Sequence, residues 1–79
     1  MAWRINPNDD IGKNIKEARE AAGLTQEQLT AKMQVLGCDV PRGALAKIES
    51  GIRYVRISEI KAIKEILKVS YDSLFRENS

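Results

Sequence analysis

Gly23-Leu24-Thr25-Gln26-Glu27-Gln28-Leu29, followed downstream by Lys47-Ile48-Glu49-Ser50-Gly51, decides how this chain folds. The first stretch reads as one helix ending and a second starting under a strong cap, and the other as a third helix closing on glycine. Gly23 takes the left-handed conformation that ends a helix at no steric cost. Thr25 and Gln28 make a T-x-x-Q capping box, in which each side chain satisfies a backbone donor of the new helix. Leu24 and Leu29 stand at the staple positions on either side of that cap and set the angle between the two helices. Three helices joined in this way present Gln26, Arg42 and Lys47 to solvent.

Outward from this centre the periodicity predicts an all-α chain of five helices. Met1 to Pro7 reads as an arm with Trp3 and Ile5 as its apolar residues, and the boundary is set at residues 1–8 for the arm and 9–76 for the domain. Helix one starts near Asp9 or Asp10, acids well placed for the helix dipole, and runs to Ala22. Its apolar stripe is Ile11, Ile15, Ala18 and Ala22. Helix two runs from Gln26 to about Leu36 and buries Leu29, Met33 and Leu36. Gly37-Cys38-Asp39-Val40 is the turn. Pro41 opens helix three, where its missing donor does no harm, with Leu45 and Ile48 facing inward. Ile52 to Ile57 is a loop. Ser58 caps helix four, whose inward residues are Ile60, Ile63 and Leu67 with Ile66 at the edge, and Ser70 caps a last short turn carrying Tyr71, Leu74 and Phe75.

Composition narrows the function. Seventy-nine residues are one small domain, too short for a deep enzyme cleft and near the size at which a single core is marginal. The net charge of +2 is modest, but Pro41 to Lys64 holds six bases (Arg42, Lys47, Arg53, Arg56, Lys61, Lys64) against Glu49 and Glu59, so that stretch carries +4 and the remainder −2. Such an asymmetry is an electrostatic footprint for a polyanion. With no histidine and Cys38 as the one cysteine, an internal disulfide, a Cys/His metal site and a histidine general base are all excluded. Neither paired carboxylates in a pocket nor a phosphate loop remain to build an enzyme from, and no cofactor is expected. A lone cysteine suits a reducing cytosol. Met1 to Asp10 has no apolar run to make a signal peptide, and nothing beyond it is expected to span a membrane.

The ordered pieces Ile11-Gly12-x-x-Ile15, Arg19-Glu20-Ala21-Ala22-Gly23-Leu24-Thr25-Gln26, Ala46-Lys47-Ile48-Glu49-Ser50-Gly51 and Leu67-Lys68-Val69-Ser70-Tyr71-Asp72-Ser73-Leu74-Phe75 resemble the lambda-repressor-like helix-turn-helix regulators, the Cro/cI or xenobiotic-response-element class. The resemblance covers nearly the whole chain and implies a five-helix DNA-binding domain. It implies a sequence-specific regulator of double-stranded DNA, a repressor by type, acting as a homodimer in the cytoplasm of a bacterium or phage-bearing cell, close to the nucleoid. Base-reading positions fall on Arg42, Gly43, Ala46 and Lys47. Phosphate contacts fall on Gln26, Arg19, Arg53, Tyr54 and Arg56, and Arg19 also matches the arginine that pairs with the glutamate here numbered Glu49, tethering helix one to the reading helix.

Three departures qualify the resemblance. The segment from Thr25 to Glu49 is several residues longer than in the commonest members. Pro41 stands where relatives carry serine or threonine, so a hydroxyl cap is absent. Gly43 removes one base-reading side chain and costs about 1 kcal/mol of helix propensity relative to alanine. Sequence preference then rests on Arg42 and Lys47, with arginine bidentate to guanine as the leading contact, worth roughly 1–3 kcal/mol of discrimination.

Each signal has a plainer reading. An isolated Arg42 and Lys47 would be solvated charges; their place on helix three makes them base contacts. Gln26 is also a normal first-turn residue, and Arg53, Tyr54 and Arg56 could be a solvated turn. Cys38 reads as a small turn residue without redox role. Tyr71, Leu74 and Phe75 either close the core or form the patch on which two copies meet. The rival function is a protein-interaction module of antitoxin or anti-repressor type, which would hold a partner protein on the Val69–Phe75 end.

Overall fold

A computed structural model describes residues 7–77. Among them the chain forms five helices and no strand: α1 (Pro7–Ala21), α2 (Gln26–Val35), α3 (Arg42–Glu49), α4 (Ile57–Leu67) and α5 (Tyr71–Phe75). Trp3, Ile5 and most of the expected arm lie outside the described residues. Helix α1 begins at Pro7, earlier than the acids Asp9 and Asp10 suggest, because a proline in the first turn lacks only a donor that would go unbonded there.

The helix ends repeat one device. At the end of α1, Gly23 has φ +75°, its N–H donates to Glu20 O at 3.0 Å, and the Leu24 N–H reaches back to Arg19 O at 3.1 Å. This pair of bonds satisfies carbonyls that the helix leaves open. At the end of α3, Gly51 with φ +83° donates to Ile48 O at 3.1 Å, while Ile52 N–H reaches Lys47 O at 2.9 Å. Gly37 does the same after α2, with Cys38 N–H on Met33 O at 2.9 Å. Helix starts follow the expected caps at α2, where Thr25 and Gln28 exchange bonds of 2.8 and 3.0 Å, and at α5, where Ser70 Oγ accepts from Ser73 N–H at 3.1 Å.

Three expectations are corrected. Leu36 is 48% exposed, because α2 ends at Val35 and the backbone leaves the helix axis before Leu36 can extend the inward stripe of Leu29 and Met33. Ala22 likewise lies past the end of α1 and is exposed. Ser58 does not cap α4. The cap position is Arg56, and the carboxylate of Glu59, three residues on, accepts the Arg56 N–H at 2.8 Å. Apart from this shift of register, α4 buries Ile60, Ile63 and Leu67 as expected, with Ala62 added.

A single core joins Ile15 of α1, Leu29 and Met33 of α2, Leu45 and Ile48 of α3, Ile63 of α4 and Leu74 of α5, all essentially without exposure. Two contacts set how the outer helices meet it. A Cβ at Gly12 would lie 2.2 Å from Ile48 O, so the backbones of α1 and α3 touch at a place where only glycine fits. Asn14, buried in α1, donates from Nδ2 to Leu74 O at 2.8 Å and Arg76 O at 2.9 Å, which fastens the end of α5. Leu74 therefore closes the core, leaving Tyr71 and Phe75 half exposed with their rings stacked at 6.4 Å and Lys64 Nζ 5.0 Å from the Tyr71 ring centre.

Candidate nucleic-acid interface

Helix α3 has two faces. Leu45 and Ile48 are buried, while Arg42, Gly43 and Lys47 are exposed and Ala46 lies at the margin. Positions 42, 43, 46 and 47 follow the i, i+3, i+4 spacing of one helical surface, so the four expected base-reading residues are brought together. Neither Arg42 nor Lys47 forms an ion pair among the described residues. No acid stands in the first turn of α3, and Pro41 at its cap supplies no side-chain acceptor; the preceding acid, Asp39, lies two residues ahead of the cap.

Behind this face the helix is locked by a buried carboxylate. Glu49 accepts Arg19 Nε at 2.7 Å and Nη2 at 3.1 Å, a two-pronged pair in which the side chains are 9% and 3% exposed. Arg19 Nη1 also donates to Leu24 O at 2.7 Å, within the turn that starts α2. Gln26, the first residue of α2, donates from Nε2 to Glu49 Oε1 at 2.9 Å. One carboxylate thus ties α1, the turn, α2 and the end of α3 together. The Glu49 hydrogen bonds raise the Arg19 guanidinium above its ordinary value, against a smaller opposing effect of burial. The expected tether is present. As a phosphate contact Arg19 is corrected: it is buried and each of its three nitrogens already donates within the protein.

The loop from α3 to α4 divides its expected phosphate contacts. Arg53 donates from Nη1 and Nη2 to the two oxygens of Glu59, each at 2.9 Å, and from Nη1 to Tyr54 O at 3.2 Å. Its fork is therefore engaged with a carboxylate that is only 5% exposed. Burial pushes the Glu59 carboxyl up, but the Arg53 fork and the Arg56 N–H outweigh it and hold the group below its ordinary value. Tyr54 and Arg56 point outward, with Tyr54 74% exposed. Gln26 is half-buried at the mouth of α2, facing Glu49. Cys38 is half-buried in the turn, and burial pushes its thiol up, the direction of an unreactive cysteine.

Three residues of this architecture were not singled out for their roles from sequence. Gly12 carried a signal, since a glycine within a helical pattern costs about 1 kcal/mol and needs a packing reason. Glu59 carried one too, standing three residues after Arg56 and six after Arg53. Asn14 gave none, because it donates to the Leu74 and Arg76 carbonyls and accepts from Arg76 Nε at 3.2 Å, all some sixty residues away.

Among the described residues no helix is long and apolar enough to cross a membrane. A family model described as Helix-turn-helix matches residues 15–74, which span all of α2 to α4, the second half of α1 and most of α5. No curated protein and no solved structure matches the chain.

Proposed function

The chain belongs to the helix-turn-helix family of lambda-repressor-like, Cro/cI-type DNA-binding regulators, and from that membership we propose that it reads a specific double-stranded DNA sequence and represses transcription by occupying it. The observation that carries this reading is the contrast within α3. Its inner face is fixed by Glu49, and its outer face offers two cations that form no ion pair among the described residues.

In this mechanism α3 enters the major groove with Arg42 and Lys47 toward base edges and Ala46 and Gly43 allowing close approach. Arg42 is the principal determinant, since a guanidinium matches the two acceptors of guanine. Helix α2 crosses the backbone with Gln26 at a phosphate, a place where helix N-termini favour anions. Tyr54 and Arg56 add phosphate contacts, while Arg53 serves the loop through Glu59. The Arg19–Glu49–Gln26 set fixes the angle between the crossing and reading helices before DNA arrives, so little ordering cost remains at binding. Two copies occupy inverted half-sites about one helical turn apart. No bond is made or broken; regulation follows from occupancy alone.

The test is selection from random duplex DNA, followed by titration of the recovered sequence at several salt concentrations. An inverted repeat whose binding weakens steeply with salt is the expected result. Weak binding that ignores sequence would overturn this reading in favour of a module that holds a partner protein.

A further inference from the structure

Helices α1, α2 and α3 each close on a glycine in the left-handed region, at Gly23, Gly37 and Gly51, whereas α4 closes on Lys68 with φ +56°. That backbone strains any residue with a Cβ, and glycine would take it freely. Nor does the helix dipole require a lysine here, since Lys64 already stands in the last turn of α4. What Lys68 does supply is a cation on the rim of a groove. The groove, about 380 Å³, lies between the ends of α2 and α4 and is lined by Lys32, Val35, Leu36, Glu65, Ile66 and Lys68. Lys32, Val35 and Leu36 share one side of α2 by their i, i+3, i+4 spacing. Val35 is 85% exposed, more than any other large apolar side chain among the described residues, while Ile66 rests on the core. A contiguous apolar wall rimmed by charge favours being covered.

Charge selects the occupant. Two bases, Lys32 and Lys68, against one acid, Glu65, leave the groove at +1. A second copy meeting this face about a two-fold axis would bring two rims of like charge together. Met1 to Asn6 carries Arg4 and no acid, so that segment would bring a cation to a cationic rim. DNA would meet the lysines and leave the apolar wall uncovered. Gln26, at the other end of α2, is also about 14 Å away along the axis at 1.5 Å per residue. We propose that the groove docks an acidic amphipathic helix of another protein. Its apolar stripe lies on Val35, Leu36 and Ile66, and its carboxylates face Lys32 and Lys68. Glu65 then meets an uncharged or basic position of that helix, which sets its register. The site shares no residue with the proposed DNA contacts, so both can be occupied at once. This docking goes beyond the DNA-reading function and does not depend on it.

The probe is a displayed library of helical peptides with leucine fixed at i, i+3, i+4 and i+7. Their other positions are drawn from glutamate, lysine, serine and alanine, and selection uses the whole chain. Glutamate-rich peptides should be recovered, with the same affinity in the presence of saturating duplex DNA. Lys32→Glu/Lys68→Glu should weaken the best of them by about tenfold and, selected afresh, should recover lysine-rich peptides instead. Val35→Ser should weaken it as well. Lys68→Gly separates docking from folding: its thermal midpoint should rise by a few degrees while peptide affinity falls. Recovery of nothing, or of uncharged or lysine-rich peptides on the wild type, would overturn the proposal. So would undiminished affinity in the charge-reversed variant, or a lowered midpoint in Lys68→Gly, which would make the lysine a structural cap. Displacement of the peptide by DNA would assign the groove to the duplex. Binding only after residues 1–6 are removed would assign it to that segment, and a wild-type dimer that Val35→Ser dissociates would assign it to a second copy. Each of these also overturns the proposal.

Discussion

Two arginine–carboxylate clamps flank α3, and they differ in what they hold. Arg19–Glu49 joins residues thirty apart in sequence and locks α1 and α2 onto the end of α3. Arg53–Glu59 joins residues six apart and shapes only the loop that leads into α4. The first is sealed from water on both sides, whereas the Arg53 side chain remains 28% exposed. Where a clamp is long-range and dry, the orientation of a helix depends on it; where it is local and half-wet, it tunes a loop. Both also remove an arginine from the set available to DNA, so the basic stretch presents fewer free cations than its composition implies.

Breaking the first clamp should have the largest effect. Glu49→Ala leaves a buried guanidinium without its partner and should cost about 3–5 kcal/mol, a large share of the stability of a small domain. Chemical denaturation would measure it. A loss near that of an exposed pair would mean the junction is less dry than its geometry implies.

The second clamp should be worth less, about 1–2 kcal/mol on Glu59→Gln, because partial solvation of Arg53 screens the pair. It also has a pH signature. The Glu59 pKa is lowered on folding from its ordinary value of 4.5. The stabilisation it brings is thus complete above that value and is lost as pH falls through the lower, folded one. Thermal unfolding in acid should therefore show a steeper loss for the wild type than for Glu59→Gln, and parallel curves would contradict the assignment.

The arginines of the loop sharpen the contrast further. Arg56→Ala should weaken binding to all duplexes alike and reduce the salt slope by about one. Arg53→Ala should lower stability while leaving that slope unchanged. A shared slope change would restore Arg53 to the phosphate contacts. Smallest of all, Gly43→Ala should stabilise the fold by up to about 1 kcal/mol, since a Cβ there meets nothing within 4 Å and its backbone is not left-handed.

How far the molecule was legible in its sequence follows the same division. Local chemistry was readable: the Thr25–Gln28 box, the glycine terminators and the Ser70 cap depend on residues within a few positions of one another. The Arg19–Glu49 tether was reached through resemblance to a family, not through spacing, because nothing local announces a pair thirty residues apart. The Arg53–Glu59 pair was missed for a different reason. Placing the cap of α4 at Ser58 put Glu59 at the wrong position of the first turn, so its role toward Arg56 and Arg53 did not appear. Gly12 and Asn14 could not be assigned partners at all, since each meets backbone carbonyls supplied by a distant helix.

The division between holding and reading residues comes to a single comparison, the ratio of affinities for the selected duplex and a scrambled one, measured for wild type and Arg42→Ala at matched salt. Arg42→Ala should reduce that ratio by about ten- to a hundredfold through a selective loss on the selected sequence, with its thermal midpoint unmoved. An unchanged ratio, or equal loss on both duplexes, would show that α3 does not read bases through Arg42 and would contradict the proposed function at its centre.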